Sequence, residues 1–121
     1  MYEQNYFKGL LLKESLRDLD VLNLVKITKT EKWNVPDAVD YQPKIWTAIS
    51  FEGEKDKVKE IVEKMSKAIK EKWYLNVSTE NIEYVVFFNK IFKYLKGNDK
   101  TKKQAIEYGA SIGIPERQLD L

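Results

Sequence analysis

The fold of this 121-residue chain is decided by residues 44–98, which read KIWTAISFEGEKDKVKEIVEKMSKAIKEKWYLNVS from 44 to 78 and TENIEYVVFFNKIFKYLKGN from 79 to 98. The beginning of this stretch, Lys44–Phe51, alternates in the way that is typical of a β-strand, because successive strand residues point to opposite faces of a sheet. One face of the predicted strand carries Ile45, Thr47, Ile49 and Phe51, and the other carries Trp46, Ala48 and Ser50.

The spacing of apolar residues then changes to steps of three and four, which is the period of one stripe along an α-helix. We predict a helix of about 18 residues that reaches as far as Trp73. The acidic residues at its start and the lysines near its end suit the helix dipole. Its buried stripe is expected to contain Val58, Ile61, Val62, Met65, Ala68, Ile69 and Trp73.

A strand and a hairpin follow this helix. Residues Trp73–Ser78 alternate again and predict a strand. Residues Ile82–Leu95 are mostly β-branched and aromatic and too long for one strand, so we predict a hairpin with its tip at the polar interruption, Asn89-Lys90. In that register apolar pairs occupy both faces of the hairpin: Phe88 opposes Ile91 on one face, and on the other Phe87 opposes Phe92 and Val85 opposes Tyr94.

The rest of the chain adds two strands before this stretch and one helix after it. Phe7–Leu12 and Leu24–Trp33 are predicted strands, and a proline-containing loop separates the second of them from residue 44. After Gly97 we predict a second helix, with Asn98 or Asp99 as its N-cap. Gly113 is well placed just beyond its C-terminus.

The predicted element order is therefore β-β-β-α-β-β-β-α. The predicted fold class is α+β, with an antiparallel sheet of five to six strands and two helices mainly on one face. From Lys44 onward the order is compatible with a ferredoxin-like split β-α-β arrangement, elaborated by an extra hairpin strand and preceded by two strands. At this length we expect residues 1–121 to form a single α+β domain.

The composition says little about partners. The chain has 21 basic and 19 acidic residues and a net charge of +2, which is too small to indicate a particular kind of partner. No stretch approaches the roughly 20 apolar residues of a membrane span, and the N-terminus lacks the pattern of a signal peptide. We therefore expect a soluble, cytoplasmic protein with no membrane partner, and the absence of cysteine is compatible with a reducing compartment.

The missing residue types exclude many chemistries. Because the chain contains no histidine and no cysteine, it has no Ser-His-Asp triad, Cys-His dyad, usual zinc site, haem or iron–sulfur cluster. Its glycines match neither a dinucleotide fingerprint nor a P-loop. The carboxylates of Glu52, Glu54 and Asp56 are explained by the helix start rather than by a metal. We therefore predict no catalytic residue, metal or cofactor, and favour a non-catalytic protein while leaving an enzyme open.

A basic segment, Lys90–Lys103, lies beside the aromatic residues Phe92 and Tyr94 and resembles a surface on which nucleic-acid bases stack. Lysines on a strand or at a helix start are more often simply solvated, and the only arginines are Arg17 and Arg117. Arginine is the preferred residue for forked phosphate and base contacts. Weak binding of single-stranded nucleic acid is therefore only an alternative.

The most informative feature is a set of aromatic and small hydrogen-bonding residues on the faces of the predicted strands. Two amphipathic helices are expected to cover one face of the sheet, so the second set of apolar side chains needs another cover. This second face has three possible roles: a homodimer interface, a small-molecule pocket, or internal core beneath the N-terminal strands. We predict a small non-catalytic binding or interaction domain that self-associates through this face; the alternatives are a small-molecule-binding protein or a metal-independent enzyme. The candidate binding residues are Trp46, Ser50, Tyr74, Asn76, Phe92 and Tyr94.

Overall fold

A computed structural model describes residues 5–121. Its strands and helices follow one another in the predicted order, β-β-β-α-β-β-β-α, so the predicted α+β class is confirmed. The strands are β1 (Tyr6–Leu12), β2 (Lys26–Asn34), β3 (Ile45–Glu54), β4 (Leu75–Ser78), β5 (Ile82–Phe87) and β6 (Lys90–Leu95). The α-helices are α1 (Val58–Ala68) and α2 (Asp99–Ser111), and short 3-10 segments lie at Lys13–Ser15, Leu19–Leu24, Lys55–Lys57 and Glu116–Gln118.

The strands form an antiparallel six-stranded sheet in the order β2-β3-β1-β4-β5-β6. Strand β1 pairs antiparallel with both β3 and β4, so β3 and β4 run parallel with β1 between them. Because α1 connects β3 to β4, these elements make a split β-α-β unit, which is compatible with the ferredoxin-like interpretation. Strand β2 extends this unit at one edge, and the β5-β6 hairpin extends it at the other.

The two α-helices lie on opposite faces of the sheet, and in this respect the structure departs from the prediction that both lie mainly on one face. Helix α1 packs on the face that carries Phe7, Leu11, Ile49, Phe51, Val77 and Val86. Helix α2 packs on the other face, over Val85, Phe87 and Tyr94. We call these the α1 face and the α2 face. Both helices are needed because the β5-β6 hairpin is apolar on both sides, and each side is covered by a different helix.

Helix α1 has 11 residues, which is shorter than the predicted helix. It ends at Ala68 because the backbone that follows pairs with a segment far away in the sequence. The N–H of Arg17 donates to the carbonyl oxygen of Ala68 at 2.8 Å, and Ile69 forms a β-bridge with Leu16. Ile69 and Trp73 are buried, as predicted, although both lie outside the helix. The apolar spacing therefore identified the buried residues correctly but not their backbone conformation.

Helix α2 has the predicted ends. The side chain of Asn98 accepts a hydrogen bond from the N–H of Thr101 at 3.4 Å, which makes Asn98 the N-cap. Gly113 follows the C-cap residue, Ile112, and has a φ of +101°. A residue with a side chain rarely adopts this left-handed conformation, so the glycine ends the helix and turns the chain back toward the sheet.

The hairpin tip lies one residue earlier than predicted, so the assignment of Asn89-Lys90 as the turn is wrong in register. Strands β5 and β6 are joined by Phe88 and Asn89, and Phe87 pairs with Lys90 across the hairpin. Asn89 has a φ of +57°, in the left-handed region that asparagine tolerates better than most residues. Its N–H donates to the carbonyl oxygen of Ser66 in α1 at 3.2 Å, so a tertiary contact fixes the turn.

The shift changes every cross-strand pair of the hairpin. The predicted oppositions Phe88–Ile91, Phe87–Phe92 and Val85–Tyr94 are replaced by Val86–Ile91, Val85–Phe92 and Glu83–Tyr94. The hairpin is still apolar on both faces, because Tyr84 and Val86 lie in the core under α1 while Val85 and Phe87 lie in the core under α2.

This register predicts that glycine destabilises the protein at position 90 but not at position 89. We expect Lys90→Gly to lower the free energy of unfolding by about 0.5–1 kcal/mol, because glycine weakens a strand. Asn89→Gly should change it by less than about 0.5 kcal/mol, because glycine adopts the positive φ without strain. Chemical denaturation of both variants checks this. A stabilised Lys90→Gly variant together with a destabilised Asn89→Gly variant would restore the tip predicted from the sequence.

Candidate functional site

The α2 face of the sheet is only partly covered. Helix α2 packs over β5 and β6, and two recesses of about 600 Å³ and about 420 Å³ lie over the central strands. Both recesses are lined by Leu10 of β1 and Asn76 of β4. We call the two recesses together the sheet groove, and the larger one the tryptophan pocket.

The strand register fixes the floor of the sheet groove. Leu10 pairs with Ser50 of β3 on one side and with Asn76 of β4 on the other. Because paired residues of neighbouring strands point to the same face, these three side chains form a row across the sheet. Two members of this row, Leu10 and Asn76, line both recesses, and Ser50 lines the smaller one.

The tryptophan pocket takes its name from Trp33, Trp46 and Trp73, which are all the tryptophans of the chain. Trp33 and Trp46 are cross-strand partners at the ends of β2 and β3. The rings of Trp46 and Trp73 meet edge to face with their centroids 5.4 Å apart, a favourable geometry for aromatic rings. Trp46 also donates from its indole nitrogen to the carbonyl oxygen of Pro43 at 2.8 Å.

Trp33 and Leu10 are the exposed large apolar residues among those that line the tryptophan pocket. Trp33 is 37% exposed and Leu10 is 38% exposed, whereas Trp46 and Trp73 are buried. The buried rings therefore form the wall of the pocket, and the exposed side chains offer apolar surface to solvent. Leaving such surface in a recess is unfavourable unless a ligand or a partner covers it.

Two segments distant in sequence close one end of the groove. Arg117 donates to the carboxylate of Asp37 at 3.0 Å and to its carbonyl oxygen at 2.7 Å. The side-chain amides of Gln42 and Gln118 bond to each other in both directions, at 2.8 and 2.9 Å. These contacts attach the loop between β2 and β3 to the C-terminal segment. The polar groups of this wall are therefore largely bonded to one another.

Tyr74 connects the same wall to β4. Its hydroxyl donates to the carbonyl oxygen of Gln118 at 2.5 Å and lies 3.4 Å from a carboxylate oxygen of Asp120. Burial of the hydroxyl, together with the nearby Asp120 carboxylate, raises the pKa of Tyr74 well above the usual tyrosine range. Tyr74 is therefore a neutral hydrogen-bond donor, and it positions the C-terminal segment against the pocket.

The structure brings four of the six candidate binding residues together. Trp46, Tyr74 and Asn76 line the tryptophan pocket, and Ser50 and Asn76 line the smaller recess. Phe92 and Tyr94 lie elsewhere, in the cluster of apolar residues under α2.

The location of Phe92 and Tyr94 bears on the nucleic-acid alternative. The ring of Phe92 packs against that of Tyr108 of α2, with centroids 5.7 Å apart, and Tyr94 is buried. The ring of Tyr94 is therefore not accessible to a base, and that of Phe92 is only partly exposed. Weak binding of single-stranded nucleic acid stays a prediction.

Sequence reasoning missed several residues of the groove. Trp33 belongs to a predicted strand, but its place opposite Trp46 follows from a strand register that the sequence does not reveal. Leu10 and Arg117 also come from the two ends of the chain, and only the fold brings them to one recess. The one sequence signal for the position of Trp33 was the alternation along its strand, which puts Trp33 on the same face as Glu31.

Other kinds of site find no support in the described part of the chain. Between residues 5 and 121 there is no group of three side chains placed to hold a metal ion. In the same range no helix is long and apolar enough to cross a membrane. The chain matches no family model, no curated protein and no solved structure. The candidate site is therefore argued from its own geometry.

The bond of Tyr74 gives a direct test of the groove wall. We expect Tyr74→Phe to lower the free energy of unfolding by about 1 kcal/mol, because the Gln118 carbonyl oxygen loses its partner. Tyr6→Phe is the matched control, since Tyr6 is exposed on β1 and its change should be neutral. Thermal and chemical denaturation of both variants make the comparison, and equal stabilities would contradict the wall described above.

Proposed function

We propose that this protein is a small non-catalytic binding domain that holds a small molecule with an apolar body in the sheet groove. The observation that supports this most strongly is the convergence of all three tryptophans on one recess of about 600 Å³. Pockets for small ligands typically measure about 300–1,000 Å³ and are lined by apolar and aromatic side chains with a few polar groups. The tryptophan pocket has both properties.

Burial of exposed apolar surface would supply the binding free energy. Leu10 and Trp33 both present more than a third of their surface to solvent. Covering apolar surface contributes about 25 cal/mol per Å², so a ligand that covers both side chains gains a few kcal/mol from them. The buried rings of Trp46 and Trp73 hold the pocket in shape before the ligand arrives, which reduces the entropy lost on binding.

The bonded polar groups in the wall of the tryptophan pocket support binding rather than catalysis. Arg117 is paired with Asp37, and Tyr74 is a bonded, neutral donor. A general base or nucleophile must be a free side chain whose pKa is adjusted to its task. Arg117, Asp37 and Tyr74 are instead held in hydrogen bonds within the protein. They suit the orientation of a ligand.

Self-association through the aromatic face stays a prediction that we place second. It was motivated by a shortage of cover for the aromatic side chains, and α2 supplies that cover for Phe92 and Tyr94. What remains open on the α2 face is a recess and not a flat aromatic surface, and a recess favours a small ligand over a second subunit. A cytoplasmic location likewise stays a prediction from the sequence.

Binding of the neutral apolar dye N-phenyl-1-naphthylamine tests the proposal. The dye should gain fluorescence on adding the protein, and Leu10→Ser should weaken its affinity about fivefold, because apolar contact is lost at the middle of the groove. Leu19→Ser is the control, since Leu19 is also exposed but lies in the 3-10 segment before β2. If the dye does not bind, or if both variants weaken it equally, the groove is not the binding site.

A further inference from the structure

We propose that the ligand of the sheet groove is amphipathic, with an apolar body in the tryptophan pocket and a carboxylate beside Lys8 at the other end. This inference rests on the proposed function and adds the chemical class of the ligand. It follows from the change from charged to apolar residues along the floor of the groove.

The floor changes from charged to apolar along β1. At one end Lys8 pairs with Glu52 of β3 and Ser78 of β4, so a charged and hydroxyl-bearing row crosses the sheet there. At the other end Leu12 pairs with Ala48 and lines the tryptophan pocket. On the floor of the groove a molecule therefore meets polar groups at one end and apolar groups at the other, as an amphipathic molecule requires. The charged side chains that line the tryptophan pocket come from loops and the C-terminal segment rather than from this floor: Asp37, Lys72, Arg117 and Asp120.

Lys8 is the positive charge that is left over at the polar end. Its neighbours Glu52 and Glu83 each have a lysine of their own at 3.9 Å, Lys26 and Lys96 respectively. Within residues 5–121 Lys8 forms no ion pair of this length. Each of the two carboxylates thus has a lysine partner, and Lys8 offers an incoming anion an ammonium group that has no such partner.

The second carboxylate near the polar end, Glu83, is partly buried. Burial raises the pKa of Glu83 above its usual value, although Lys96, Lys102 and Lys8 act in the opposite direction. Glu83 pairs with Ser78 on the far side of β4 from Lys8, so it is the more distant of the two carboxylates. The nearer one, Glu52, belongs to the pair with Lys26.

Neutral hydrogen-bond donors line the recess beside Lys8. Ser50, Asn76 and Ser78 line the same recess as Lys8. Their side chains form no hydrogen bond with the described part of the protein, in contrast to the bonded wall at the other end. Hydroxyl and amide donors next to an ammonium group are what a carboxylate needs to replace its lost water.

The length of the groove sets the size of the ligand. Lys8 and Leu12 are four steps apart along β1, which corresponds to about 14 Å at the rise of a β-strand. A medium-chain alkyl carboxylate spans such a distance as a single molecule in solution. The ligand is therefore a dissolved carboxylate and not a lipid of a membrane surface, because the polar and apolar ends both lie over the strands of one sheet face.

Displacement of N-phenyl-1-naphthylamine by two surfactants of equal chain length tests the inference. Dodecanoate and dodecyltrimethylammonium, both used below their micelle concentrations, have similar alkyl chains and head groups of opposite charge, and only the carboxylate accepts hydrogen bonds. We expect dodecanoate to displace the dye at about tenfold lower concentration, since a hydrogen bond to a charged group is worth about that factor. Lys8→Gln should remove this difference, whereas Lys59→Gln on α1 should preserve it.

The outcomes separate the two proposals. If both surfactants displace the dye equally from the wild-type protein, or if Lys8→Gln leaves the preference for dodecanoate intact, the carboxylate assignment is wrong while the groove remains a binding site. Association with anionic lipid vesicles without displacement by monomeric dodecanoate also overturns it. If the dye does not bind at all, the proposed function fails and this inference fails with it.

Discussion

The β5-β6 hairpin is apolar on both faces, and this constraint determines the rest of the architecture. Tyr84 and Val86 point to one face, and Val85 and Phe87 point to the other. Burying one large apolar side chain is worth about 2–3 kcal/mol, so neither face is stable in water. Helix α1 covers the first face, and α2 is therefore required on the second. Because α2 lies over the hairpin at one side of the sheet, the central strands β3, β1 and β4 stay open on the α2 face.

The groove over these strands is built from parts that are distant in the chain. Strand β1 supplies its floor, and β2 and β3 supply two of the tryptophans. The loop between β2 and β3 and the C-terminal segment close one end through Arg117–Asp37 and the paired amides of Gln42 and Gln118. The buried core under α1 therefore provides stability, while polar and aromatic side chains on the open face remain available to a ligand.

Alternation along single strands predicted correctly what depends on local pattern. Alternation placed Trp46 and Ser50 on one face of β3. It placed Asn76 of β4, and Tyr74 just before β4, on one face of the next strand. These four residues line the groove. Features set by distant contacts were missed. Helix α1 stops at Ala68 because residues near Leu16 pair with the chain that follows, and the hairpin tip is fixed by Ser66. The place of α2 depends on both faces of the hairpin at once, and apolar spacing within α2 does not reveal which face it covers.

The central claim is that the α2 face over β3, β1 and β4 is an open ligand groove. Backbone and indole N–H resonances of the labelled protein, followed by NMR during addition of N-phenyl-1-naphthylamine, test it most directly. The account predicts that the perturbed signals are the indole groups of Trp33, Trp46 and Trp73 and the amides near Leu10 and Asn76, with α1 unaffected. Perturbations that centre on the exposed side of α1 or on the β2 edge, and leave the three indole signals unchanged, would contradict it.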